Sequence, residues 1–276
     1  MNYPLARWRL IQTLPAPGAW NMAIDEAILE AVGRGQADPT LRLYAWSPPC
    51  LSLGYAQPSF DVDLPQLHAL GWDLVRRPTG GRAILHTDEL TYAVIAPLSE
   101  PRLAGSVLES YQSLSQALLQ ALHRIGIQAE SSEKKGETPN NNSQNPVCFE
   151  VPSNYEITAR GLKLVGSAQA RRRDGVLQHG SLPLYGDLTR ITQVLRFPDE
   201  TSRSAAAHRL LGRAATAEAV LQERVSWELA AEAFAKAFRE TLNLDLYRDE
   251  LAPAELARAQ ELVLVKFDHP SWTNRV

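Results

Sequence analysis

The sequence predicts an α+β fold, a mixed sheet with helices packed against it, from three observations. Two long stretches, Trp20–Val32 and Ser106–Ile125, repeat apolar residues at helical spacing. Between them lie four short runs of branched and aromatic residues separated by Pro or Gly, the mark of strands. From Ser202 onward the pattern turns helical.

The first helix carries Ala23, Ile24, Ala27, Ile28 and Ala31 on its inner side, with Asn21 placed to cap its start and Gly33 to stop it. Strands are expected at Leu41–Trp46, Leu51–Tyr55, Asp73–Arg77 and Thr91–Ile95. The second helix presents Val107, Tyr111, Leu114, Leu118, Leu122 and Ile125 as one stripe and ends at Gly126. Glu130 to Pro146, polar and Asn-rich, has no apolar residue to anchor it and reads as a mobile loop leading into Cys148. Asn154–Ala159 and Leu162–Ala168 flank Arg160-Gly161 as a hairpin, and Val176–Leu184 is one more strand. Trp227, Ala231, Phe234, Phe238 and Leu242 mark a further helix, and another begins near Pro253.

A chain of 276 residues with 45% hydrophobic and 21% charged residues can bury a sizeable core, as one large domain or one plus a small appendage. Its formal charge of −3 creates no overall basic field, so neither nucleic acid nor a membrane is expected as a partner. Arg171-Arg172-Arg173 is a local exception, a solvated turn or a docking patch for an acidic partner. The two cysteines, Cys50 and Cys148, lack metal-ligand spacing, and the first residues lack the apolar stretch of a secretory signal. No apolar run approaches the roughly 18 residues of a membrane span. A cytoplasmic protein with reduced thiols is expected.

Cys148 lies at the end of the polar segment, where access for a bulky thioester is easier than in a core, whereas Cys50 precedes a strand and reads as buried. Lys163, flanked by Leu162 and Leu164, either turns its ammonium to water or stands near the thiol. In the second case its cation lowers a thiol pKa of about 8.5, and a drop of about one to two units makes the thiolate a major species near neutrality. Arg76-Arg77-Pro78-Thr79-Gly80-Gly81-Arg82-Ala83-Ile84-Leu85-His86 joins two strands; alone it is a tight turn, or a place where backbone approaches a ligand. His86 taken singly is a hydrogen-bonded structural histidine. Gly166-Ser167-Ala168 and His179-Gly180-Ser181 are small-residue segments near strand ends, suited to a narrow acyl slot, to oxyanion donors or to close strand packing. No Walker-type or dinucleotide glycine pattern occurs.

Taken in order, Asn21-Met22-Ala23-Ile24-Asp25-Glu26, the Arg76–His86 motif, the Cys148 and Lys163 segments and Gln178-His179-Gly180-Ser181 resemble the lipoate-protein ligase and octanoyltransferase superfamily, most closely its LipM-type octanoyltransferases. That resemblance implies a biotin/lipoate ligase-like catalytic domain over 1–247, with its core from about 35, and a short helical extension over 248–276. It implies Cys148 as the acyl-thioester nucleophile and Lys163 as the residue that lowers its pKa. It also implies substrate-binding roles for Arg77, Thr79, Gly80, Gly81, His86, Gly166, Ser167, Ala168, His179 and Gly180. The implied donor is octanoyl-acyl carrier protein and the implied acceptor a lipoyl domain such as glycine-cleavage H protein, with no cofactor and no metal. ATP-using lipoate ligases of the superfamily carry a third glycine where Arg82 stands and an Asp where Thr87 follows His86, and the amidotransferases follow the cysteine with proline where Phe149 stands. These departures favour the transferase. The alternatives are an ATP-dependent lipoate or octanoate ligase and a non-catalytic protein that binds acyl groups or lipoyl domains.

Overall fold

A computed structural model describes residues 3–133 and 155–276. Its main sheet has eight strands, and both faces are covered by helices. In chain order the strands are β1 (Ala6–Gln12), β2 (Thr40–Tyr44), β3 (Cys50–Leu53), β4 (Asp73–Arg76), β5 (Ile84–His86) and β6 (Glu89–Ala96). They continue with β7 (Glu130–Glu133), β8 (Tyr155–Ala159), β9 (Leu162–Arg172), β10 (Gly175–Pro183) and β11 (Leu244–Asp249). The main sheet runs β11-β1-β2-β6-β10-β9-β8-β7, parallel from β11 to β2 and antiparallel from there on, while β4-β3-β5 form a small second sheet. This is the mixed sheet that the sequence predicts.

Helices are α1 (Gly18–Gly33), α2 (Leu64–Ala69), α3 (Val107–Arg124), α4 (Glu200–Leu211), α5 (Ala217–Leu221), α6 (Trp227–Thr241), α7 (Pro253–Leu262) and α8 (Pro270–Thr273). Successive strand side chains point to opposite faces, and here both faces are dry. In β6, Leu90, Tyr92, Val94 and Ala96 join the core under α3 and α6, while Ala93 and Ile95 join the core under α1. In β2 the same alternation sends Leu41 and Leu43 to the α3/α6 side and Tyr44 to the α1 side. A sheet buried on both faces therefore reads as continuous apolar runs rather than alternation. The α3 stripe ends as expected, with Ser106 and Glu109 forming a capping box at its start.

Four expectations change. Asn21 does not cap α1, which begins three residues earlier behind Pro17; its amide is fully buried, donating to the carbonyls of Ala16 and Ala45 and accepting from Arg42. Glu130–Glu133 is not loop but edge strand, because pairing with Tyr155–Thr158 needs backbone groups and no apolar side chains. The rest of the Asn-rich segment, with Cys148, lies outside the described residues. Arg171 and Arg172 end β9 rather than forming a solvated turn, and the small-residue segments sit inside β9 and β10 rather than near their ends.

Strands β1 and β11 carry charged residues and show no clear strand signal, yet they pair in parallel over Ala6–Ile11. Buried Arg9 of β1 explains how a charge is tolerated there: its guanidinium meets Glu255 of α7 in two hydrogen bonds of 3.0 and 2.6 Å. Past β11, α7 packs against α1, the helix that covers one face of the main sheet. No helix among the described residues is long and apolar enough to cross a membrane.

Phe234 is fully buried on α6, its ring 6.1 Å from that of Tyr92 and 6.4 Å from that of Phe238. Phe234→Ala is expected to cost about 3–5 kcal/mol in urea unfolding, and a loss below about 1 kcal/mol contradicts this placement of the core.

Candidate acyl-transfer site

Register brings the small-residue segments together. Gly166, Ser167 and Ala168 on β9 stand opposite Ser181, Gly180 and His179 on β10. Their backbones face each other across the β9–β10 ladder, so together these segments form a thin wall. A Cβ on Gly180 would lie 2.6 Å from the Gly166 carbonyl oxygen and 2.7 Å from both Ser167 Oγ and a Tyr92 ring carbon, so this position requires glycine. Together with Met22, Trp46, Ile84 and Gly81 they line a narrow slot, into which His86 and His179 also face.

The loop from Thr79 to Arg82 closes one side of the slot. Arg77, nearly buried, donates to the carbonyl oxygens of Gly80 at 2.9 Å, Arg82 at 2.7 Å and Ser52 at 3.0 Å. Gly81 has φ +96°, a left-handed conformation that glycine adopts without strain. Arg77 thus serves in the structure as the brace of the glycine loop. Neighbouring Arg76 points away from the slot and gathers the carbonyls of Gly54, Gln57 and Thr273 at 2.8, 2.6 and 2.7 Å.

Two buried hydroxyl–imidazole–carboxylate chains border the slot. In the first, Thr79 Oγ1 lies 2.7 Å from His179 Nε2, and His179 Nδ1 faces Asp25 Oδ2 at 3.5 Å. Asp25 also accepts from Arg42 at 2.7 Å and from the Tyr44 hydroxyl at 3.0 Å. In the second, Ser52 Oγ lies 2.7 Å from His86 Nε2 and Glu89 Oε1 2.7 Å from His86 Nδ1, while the His86 ring stacks on Trp46 at 4.0 Å. Glu89 accepts further from Thr91 and Ser181. An ionised carboxylate only accepts, so each imidazole turns an Nδ1–H toward its carboxylate.

Burial pushes the Asp25 and Glu89 carboxyls up, but Arg42 with His179 on one side, and His86 with two hydroxyls on the other, outweigh it and hold both below the usual range. For His179 burial wins over the pull of Asp25, so its imidazole titrates below its ordinary 6.5. Asp25, Arg42, Ser52 and Glu89 were not singled out as site residues in the sequence. Asp25 sits inside a quoted motif and Glu89 three residues past His86, but only the fold shows which histidine each one meets.

Lys163 is buried, which excludes the reading in which its ammonium turns to water; Cys148, its partner in the other reading, lies outside the described residues. Lys163 Nζ lies 3.3 Å from Glu156 Oε1 on β8, and its backbone bridges to the Arg213–Ala215 segment. It stands three residues before Gly166 on the strand that walls the slot. Cys50 is buried as expected, and burial, with Asp73 and Glu89 nearby, raises its thiol well above the ordinary range, leaving it inert.

The depressed His179 pKa has a consequence for stability. Below about 6.5 the unfolded chain binds a proton that the folded imidazole resists, so stability falls as pH drops from 6.5 toward the folded value. Asp25 and Glu89 work in the acid range, their contribution being present above the unfolded carboxylate values and lost as pH falls through their depressed folded ones. Urea unfolding of His179→Asn between pH 5 and 6.5 is expected to show a shallower pH slope than wild type, by up to about 1.4 kcal/mol per pH unit. Equal slopes contradict the assignment.

A sequence model of the lipoyl protein ligase A/B catalytic domain matches residues 17–239. Octanoyltransferase LipM of Kyrpidia tusciae is 41% identical over 271 residues, covering 97% of this chain and 98% of that one. Octanoyltransferase LipM of Staphylococcus aureus is 35% identical, covering 97% and 98%. Among solved structures, a bipartite lipoate protein ligase from Thermoplasma acidophilum, studied with its E2 lipoyl domain, has TM-score 0.78 at 25% identity, covering 99% of this chain and 97% of that one. A lipoate-protein ligase A bound with ATP has TM-score 0.77 at 26% identity, covering 98% and 99%. The shared fold, the near-complete coverage and the LipM relatives agree: this chain belongs to the lipoyl protein ligase A/B catalytic-domain family, as an octanoyltransferase of the LipM type.

Proposed function

We propose that this octanoyltransferase works by ping-pong acyl transfer, taking octanoate from octanoyl-acyl carrier protein onto Cys148 and passing it to a lysine of a lipoyl domain such as glycine-cleavage H protein. The observation that carries this reading is Lys163, a buried cation on the same strand as the small-residue wall of the slot. Cys148 lies seven positions before Tyr155, the start of the strand paired with Lys163, a stretch that spans at most about 25 Å of extended chain.

In the first half, the Cys148 thiolate attacks the thioester carbonyl. The bond to the carrier's sulfur breaks, that sulfur leaves as a thiol, and one thioester replaces another at little change in free energy. In the second half, the acceptor's lysine amine attacks the acyl-enzyme, an amide forms and Cys148 is released. Amide formation from a thioester runs downhill, so ATP has no step to drive. Lys163 stabilises the thiolate by charge and exchanges protons with the leaving thiol or the attacking amine. Arg77, Thr79, Gly80, Gly81, His86, Gly166, Ser167, Ala168, His179 and Gly180 shape and bind the acyl chain's end of the substrate. The lipoyl-domain acceptor draws support from the lipoylation system of the Thermoplasma ligase. Residues 1–247 form the catalytic domain and 248–276 its extension, in a cytoplasmic enzyme.

The rival reading, an ATP-dependent ligase, has in its favour a structural neighbour bound with ATP. A transfer assay without ATP separates the two. Wild type is expected to octanoylate a lipoyl domain from octanoyl-carrier protein, Cys148→Ala to lose activity, and Lys163→Ala to remain folded while acylation slows by about 10²–10⁴. Turnover that requires ATP and survives Cys148→Ala assigns the protein to the ligases, and unchanged single-turnover acylation removes Lys163 from the mechanism.

A further inference from the structure

Beside the slot, sharing Gly81 with it, lies a second cleft of about 550 Å³. Its wall continues along β9 from Gln169 to Arg172 and is completed by Lys266 and Trp272 from the C-terminal segment. Three of its lining residues, Arg171, Arg172 and Lys266, are cationic, and none of the described ones is acidic. Glu26 stands behind them, but it serves two cations at once: Lys266 Nζ at 2.5 and 2.6 Å and Arg172 Nη1 at 3.6 Å. Arg171 is fixed by carbonyl oxygens of Leu103 and Gly105 at 2.8 and 2.9 Å, which orient its guanidinium without cancelling its charge. A chain of formal charge −3 thus concentrates positive charge in one recess.

The recess is built in advance. Lys266 lies on a π-helical turn, Val263–Phe267, a distortion that often marks functional positions, and its ammonium sits 4.3 Å from the Trp272 ring centre. Trp272 is held by its indole N–H to the Arg76 carbonyl at 2.8 Å, while the Arg76 guanidinium grips the carbonyl of Thr273. The second arginine of the motif braces the glycine loop and the first fastens the C-terminal segment, so slot and cleft are positioned by neighbouring residues.

We propose that this cleft binds the phosphate of the acyl donor's pantetheine arm, with Arg172 and Lys266 reading the anion while the acyl chain lies in the slot. The inference rests on the thioester-donor reading above. From Ala168 to Arg171 and Arg172 the strand advances about 10–13 Å, so a flexible arm leaving the slot follows β9 to the cations. Phosphate oxygens suit guanidinium and ammonium donors. A globular carrier surface suits them less, because the charges line a recess beside the slot.

The test compares kcat/KM for acylation of the full chain by octanoyl-pantetheine, octanoyl-phosphopantetheine and octanoyl-carrier protein, in wild type, Arg172→Gln and Lys266→Gln. Wild type is expected to favour the phosphorylated small donor over the unphosphorylated one by at least about tenfold, and each variant to shrink that ratio by about three- to tenfold. An unchanged ratio, or equal slowing with both small donors, overturns the proposal. Loss confined to the carrier protein also overturns it, placing the contact on the carrier's surface. Wild type that takes acyl from none of the three, yet works with ATP and free octanoate, fails the thioester-donor reading itself and takes this proposal with it.

Discussion

The buried ion pair between Arg42 and Asp25 is the constraint on which the site depends. Both side chains are fully excluded from water, at 2.7 Å, and removing one partner of such a pair leaves an uncompensated charge costing about 3–5 kcal/mol. Such pairs are weak evidence for stability as such, since an apolar pair of equal volume often does as well. What this one provides is position. Arg42 on β2 reaches Asn21 and Asp25 on α1, stacks on Tyr44 at 3.9 Å, and Asp25 in turn faces His179 on β10, which meets Thr79 in the glycine loop. A helix, two strands and a loop are thereby locked around one carboxylate.

The second chain, Ser52–His86–Glu89, repeats that arrangement from the small sheet. Its links run from β3 through β5 to β6 and, by way of Ser181, to β10. Two imidazoles held by two carboxylates on facing sides make a rigid polar frame around an otherwise apolar slot. Where a side chain has to stay clear, Gly166, Ala168 and Gly180 leave the room. The C-terminal segment belongs to the same construction, because Arg76, next to the loop brace Arg77, ties Thr273 to the loop around Gly54 and Gln57.

Much of this was legible in the sequence, for physical reasons. The α3 and α6 stripes have helical periodicity, α3 stops at Gly126 as its sequence marks, and the Arg160-Gly161 turn, with φ of 53° and 76°, carries the hairpin that its residues suggest. The small-residue and glycine motifs named the slot. Strands β1 and β11 were not legible, because Arg7, Arg9 and Asp245 break the apolar run and the charge on Arg9 is compensated by a residue 246 positions away. Asn21 misled for a related reason: a residue type suited to capping is here a buried hydrogen-bond hub, and only its partners from β2 reveal it. The pairing of His179 with Asp25 and of His86 with Glu89 likewise depends on register, which spacing along the chain does not specify.

Transfer through an enzyme-bound thioester is the proposed centre of the mechanism, and the mass of the intact protein tests it most directly. Purified wild type and Cys148→Ala are mixed with octanoyl-carrier protein in the absence of ATP, before any lipoyl domain is added. The predicted result is one octanoyl adduct on wild type alone, discharged when the domain is supplied. No adduct on wild type, with octanoylated domain appearing only when ATP and free octanoate are present, would contradict the account.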